Sequence, residues 1–241
     1  MAEQEVAKHV KKTYKIWTSN EHSFWHKLKE FVVEIFIIVF AVTLSIKFHD
    51  YSEHSHEQKD VKDFMLGLKT DLLSDITEME GDKVSFRKTE FAFKYITSVK
   101  LNKTLNSDSL NSYNHWISNT TGLIPNNGRF EGFKSAGKIG NIENKELQND
   151  ILDLYQEDIP SLLTGSDFYT EKKKALFVFI GKNKKRITDS TSNLNVILSS
   201  DEGQNLCSNL VYTGEIRDRY NKCILKSKKI IKEIDEEYNK N

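Results

Sequence analysis

The sequence predicts an all-α protein in which one N-terminal transmembrane helix continues into an antiparallel helical bundle. Three observations carry that expectation. Residues 31–48 are almost uniformly apolar, residues 61–79 and 216–238 carry apolar stripes at helical spacing, and Pro125 and Pro160 are the only prolines in 241 residues. With 11 glycines and two cysteines besides, the chain lacks the turn residues of a loop-rich β-sandwich and the cysteines of a disulfide scaffold.

The apolar run FVVEIFIIVFAVTLSIKF holds 13 Leu, Ile, Val or Phe residues. At roughly 0.3–0.6 kcal/mol each they favour a bilayer by about 4–8 kcal/mol, against roughly 2–3 kcal/mol for Glu34 one turn inside. Lys47 can snorkel at the far end, and Phe24 and Trp25 supply interfacial aromatics. Eighteen residues of helix span about 27 Å, close to the hydrocarbon thickness. A core helix of a soluble protein would be amphipathic, and this run is apolar nearly all round. A cleaved signal peptide would need a shorter leading region and a small-x-small site where the chain reads Lys-Phe-His-Asp-Tyr.

The flanks set an orientation. Residues 1–30 hold six lysines and four glutamates, and residues 49–70 hold three lysines and five acids. The positive-inside rule then predicts a cytoplasmic tail over 1–23 and a transmembrane helix over 24–48. Residues 49–241 form an extracytoplasmic helical domain, periplasmic if the span lies in a bacterial inner membrane. Formal net charge is zero, with 35 basic and 35 acidic side chains, which removes the basic excess of a nucleic-acid binder.

Residues 49–100 contain no proline, which lets the membrane helix run on. Val61, Met65, Leu68, Leu72, Ile76 and Met79 make one stripe, and Phe86, Phe93, Ile96 and Val99 prolong it. Leu110, Tyr113 and Ile117 predict a short helix. Residues 119–128 (NTTGLIPNNG) read as a turn-rich connection, and Phe130, Phe133 and Ala136 follow at helical spacing up to Gly137. Asn144 reads as the N-cap of a helix through Leu147, Ile151, Leu154 and Tyr155, and Pro160 as the first turn of another. The run Leu-Phe-Val-Phe-Ile at 176–180 suits strand or helix, GKNKKR at 181–186 is a basic turn, and Lys172–Lys174 reads as a solvated face. A final helix covers about Gly214 to Tyr238, with Ile216, Tyr220, Cys223, Ile224, Ile231, Ile234 and Tyr238 on one side.

The segments FMLGLKTDLLSDITEME (64–80), FEGFKSAGKIGNIENKELQNDILDLYQ (130–156) and YNKCILKSKKIIKEIDEEY (220–238) resemble those of an uncharacterised family of single-pass inner-membrane proteins common in Bacteroidota-type bacteria. Members pair a Glu at the start of the membrane helix with an external helical domain. The likeness covers most of residues 24–238, although the family's membrane-helix glycines are missing and His-Asp-Tyr replaces its usual Asn-Trp junction. It implies topology and brings no activity.

Glu34 is the foremost candidate residue, since an intramembrane carboxylate either snorkels, pairs with a partner, or carries protons. The last reading resembles, in outline, the proton-coupled subunits of biopolymer transport and flagellar stators. His49, Glu53 and His56 share one helix face at i, i+4 and i+7 and form a membrane-proximal collar. Cys207 and Cys223 can bridge only if the chain turns near Thr213–Gly214, because 16 residues of continuous helix separate them by about 24 Å. No HExxH, GxSxG, GxGxxG or P-loop is present. The expectation is therefore a non-enzymatic binding or accessory module without catalytic residues, metal or cofactor. Its partners are the lipid bilayer and other membrane or periplasmic proteins or a second copy.

Overall fold

A computed structural model describes residues 8, 10–11, 14–15, 24–99, 103–188 and 192–238. Helices are α1 (Phe24–Thr97), α2 (Ser107–Ser118), α3 (Gly128–Ser135), α4 (Lys145–Asp153), α5 (Ile159–Asn183), α6 (Leu194–Ser199), α7 (Asp201–Ser208) and α8 (Gly214–Tyr238). Extended pairing among the described residues is limited to an isolated bridge between Arg186 and Ser192. The expectation of an all-α fold holds. The chain divides into two compact units, Met1–Asp60 and Val61–Asn241.

In the first unit, α1 opens at Phe24 and runs without a break. Its most apolar 18-residue window has a mean hydropathy of 2.4 and is only 6% buried. Phe36, Phe40 and Phe48 are all more than half exposed. By length and composition this helix can cross a membrane. Glu34 is the one buried side chain among those described in 24–60.

The second unit has a conventional core. Of the stripe read from the sequence, Val61, Met65, Leu68, Leu72 and Met79 are at most 1% exposed, and Ile76 packs against them from the edge. Phe86, Phe93 and Ile96 continue that face, and α1 passes through Gly81 undisturbed. Side-chain bonds fix the pairing of α1 with α8. Lys69 meets Asp235 at 2.5 Å, Tyr220 donates to Asp82 at 2.9 Å, and Arg217 reaches Glu90 at 2.9 Å. Rising numbers on one helix meet falling numbers on the other, so the two are antiparallel. The same test makes α8 antiparallel to α4 and α5, through Lys229–Glu146, Lys226–Asp150, Lys222–Asp158 and Arg219–Ser161.

Pro160 lies in the first turn of α5, as expected. No loop precedes α5: α4, a π-turn over Leu154–Asp158 and α5 follow one another without a break. Proline has no N–H for the carbonyl four residues back. The π-turn just ahead, in which Ile159 N–H reaches back to the Leu154 carbonyl, absorbs that defect without ending the helix. Residues 176–180 resolve as helix, with Leu176 in the core and Val178 exposed. Asn144 is the N-cap expected, accepting from Leu147 N–H at 3.1 Å. Helices α6 and α7 were not foreseen. Their junction is tight: a Cβ at Gly203 would lie 2.2 Å from the Ile197 carbonyl oxygen, so only glycine fits.

Candidate functional site

The inward face of α5 is a heptad-like series, Leu162, Ser166, Tyr169, Lys173 and Leu176. One position in it is a lysine. Lys173 is 1% exposed, between exposed Lys172 and Lys174, so the solvated-face reading of Lys172–Lys174 fails at its centre. Helical periodicity is the reason: residue 173 lies four after Tyr169 and three before Leu176, and both neighbours are buried.

The Lys173 Nζ donates to the Trp116 carbonyl at 2.8 Å and to the Asn119 carbonyl. These lie at the C-terminal end of α2, where carbonyls lack helical partners and a cation is favoured. An ammonium has three N–H groups, and the third finds no acceptor among the described residues. Lys173 also forms no ion pair with any described carboxylate. The rings of Phe93 and Phe177 lie 5.8 and 5.9 Å from the Nζ. Burial among them brings the Lys173 pKa down to about 8.

Lys173 lines a cavity of about 240 Å³ open to the surface. Helix α1 contributes Phe86 and Thr89, and α2 contributes His115 and Trp116. The 119–128 connection adds Thr120 and Thr121, and α5 adds Tyr169 and Thr170. The walls are fixed. Phe86 and Tyr169 meet edge to face at 5.5 Å, and Tyr169 donates to the Leu210 carbonyl at 2.9 Å. Burial raises the Tyr169 pKa far above the usual phenol range, so it stays protonated.

The loop wall is held by a ladder of carboxylates that sequence reasoning missed. On α1, Asp71 accepts from Arg129 at 3.0 Å, and Asp75 accepts from Asn126 N–H and from its side-chain amide at 2.7 Å. Glu78 accepts from Ile124 N–H at 2.9 Å, and Asp82 accepts from Thr121 and Tyr220. The spacing 71, 75, 78, 82 is itself a helical face, and each rung holds one point of residues 121–129. Burial raises the Asp75 pKa, opposed by the two bonds from Asn126. The turn-rich loop is thus clamped along its length.

Glu146, Asp150 and Glu233 bring one oxygen each within 4.8 Å of one another, the one such acidic group among the described residues. Lys229 already supplies its cation, at 2.7 Å from Glu146, 2.7 Å from Asp150 and 3.5 Å from Glu233. Burial tends to raise the Asp150 pKa, and the bonds from Lys226 and Lys229 outweigh it and hold the carboxyl below its usual range. The arrangement is an ion network tying α4 to α8.

Of the sequence-predicted residues, His49, Glu53 and His56 lie on one uninterrupted stretch of α1 and are all exposed. Glu34 is 8% exposed, and it is the apolar residues around it that face outward. Cys207 and Cys223 are free and buried even though the chain turns between α7 and α8. Burial pushes both thiols up to about 12, which leaves them protonated and unreactive.

The chain matches no family model, no curated protein and no solved structure.

Proposed function

We propose that this protein is a membrane-anchored binding module. Residues 24–48 cross the bilayer once, with residues 1–23 in the cytoplasm and residues 49–241 on the other side, periplasmic in a Gram-negative cell. Binding within that unit is its activity, exerted together with protein partners. The observation that carries the reading is the contrast in burial along α1. A window of mean hydropathy 2.4 that is 6% buried is left largely uncovered by the described residues of the chain, and lipid is a solvent that such a surface matches. Three further features agree with it. The flanking charges favour a cytoplasmic N-terminus, the Lys173 cavity offers a walled site, and no catalytic motif competes for a role.

Alkaline carbonate washing of membranes from cells expressing the chain tests the anchor. The protein is expected to stay in the pellet. Release into the supernatant would overturn the reading.

A second reading, a proton-coupled or sensor-type subunit, draws on Glu34 as the buried side chain of the span. Glu34→Gln separates the two. Under the anchor reading, membrane retention and assembly survive with at most a weaker partner interaction. Under proton coupling, assembly survives, function is lost, and Glu34→Asp restores part of it.

A further inference from the structure

A buried cation needs a counter-charge or a full set of acceptors, because removing it from water costs several kcal/mol otherwise. The buried acids of the second unit find donors within the chain: Asp150 has Lys226 and Lys229, Asp158 has Lys222 at 2.6 Å, Asp82 has two hydroxyls and Asp75 has Asn126. Lys173 is the one buried cation among the described residues. It has two carbonyls, no carboxylate, and a third donor without an acceptor among the described residues, beside a cavity.

We propose that the cavity beside Lys173 binds a small organic monocarboxylate, its carboxylate on the Lys173 ammonium and its apolar part between the aromatic walls. This deepens the reading of the chain as a binding module and concerns the site that reading invokes. Charge fixes the class. One ammonium with one free donor balances a single negative charge. No arginine lines the cavity, so a doubly charged phosphate would remain half-compensated. Thr89 and Thr170 supply hydroxyls that can donate to the second carboxylate oxygen. Phe86, Trp116 and Tyr169 supply apolar surface for a ring or short chain. Size agrees as well: a dry cavity of about 150 Å³ already accepts benzene, and this one is about 240 Å³.

The test is titration calorimetry on the full chain in non-ionic detergent micelles at neutral pH, with sodium benzoate as probe. Benzamide serves as its neutral isostere and inorganic phosphate as the competing anion. Membrane topology does not enter this readout, so a failed anchor and a failed site are told apart. Benzoate is expected to bind one to one, with benzamide and phosphate at least about tenfold weaker. Lys173→Met removes the charge, and Thr170→Leu fills the cavity without touching the lysine. Each should weaken benzoate by about tenfold or more. If Lys173→Met does not fold, Thr170→Leu and the benzamide comparison decide. The proposal is overturned by no benzoate binding, by equal binding of benzamide, by preference for phosphate, or by benzoate binding that survives Thr170→Leu or Lys173→Met.

Discussion

Helix α1 contains two apolar stretches that behave oppositely. Residues 31–48 are apolar on every side and mostly exposed, whereas residues 61–96 are apolar on one stripe and that stripe is almost fully buried. The first is far richer in Leu, Ile, Val and Phe, yet its own chain covers little of it. The difference teaches that density and periodicity of apolar residues ask for different solvents. A stripe leaves room for a polar back and selects protein neighbours, while an all-round surface is matched by lipid.

The comparison breaks most severely at Leu72. It is completely buried, and Leu72→Asp places an unpaired charge there at a cost of about 3–5 kcal/mol, comparable with the whole stability of many domains. The cooperative thermal transition of the full chain in micelles should be lost or shifted down by about 6–20 °C. The matching change in the other stretch, Val39→Asp, should leave that transition intact. Its cost, about 2.5–3.5 kcal/mol, falls on insertion and is read as protein released by carbonate. If both variants gave the same phenotype, the two stretches would not be distinct.

A smaller effect is expected at Lys173, and its sign follows from linkage. The folded-state pKa, about 8, lies below the ordinary 10.5. Between those values the unfolded chain binds more protons, so stability rises with pH from about 8 to 10.5, by up to a few kcal/mol. Urea denaturation across that range should show the rise, and Lys173→Met should flatten it. Asp150 runs the other way. Its lowered pKa gives stability that is present at neutral pH and lost as pH falls through the carboxylate range. Asp150→Asn should cost about 1.5–3 kcal/mol at pH 7 and reduce the acid sensitivity of the denaturation midpoint. The smallest effect concerns the thiols. Cys207 and Cys223, with pKa values of about 12, should resist a thiol reagent in the folded chain and react on unfolding.

Most of the fold was legible because it is written in period 3.6. The stripes at 61–79 and 216–238, the Asn144 cap and the helix at 107–118 all rest on spacing or on a local hydrogen bond. Pro160 marked the first turn of α5, but the π-turn ahead of it has no sequence signature of its own. Helices α6 and α7 are too short to show a period. Lys173 was hidden by its charged neighbours: a triplet of lysines looks solvated until the frame of Tyr169 and Leu176 is imposed on it. The ladder of Asp71, Asp75, Glu78 and Asp82 was visible as spacing, but its partners are mostly backbone and side-chain groups of one loop. Only the folded chain brings those together. The cavity, formed by three stretches distant in sequence, 85–89, 115–121 and 169–173, was not legible at all.

The central claim is that α1 serves two solvents, lipid over 31–48 and protein beyond Val61, with the N-terminus in the cytoplasm. Accessibility of single cysteines in intact spheroplasts tests it most directly, since the native Cys207 and Cys223 are buried and stay unlabelled. Ser112 is exposed in α2 and Ser19 precedes the span. A membrane-impermeant maleimide should label Ser112→Cys in intact spheroplasts and Ser19→Cys only after lysis. Labelling of Ser19→Cys with protection of Ser112→Cys would contradict the orientation, and equal labelling of both before lysis would contradict the span.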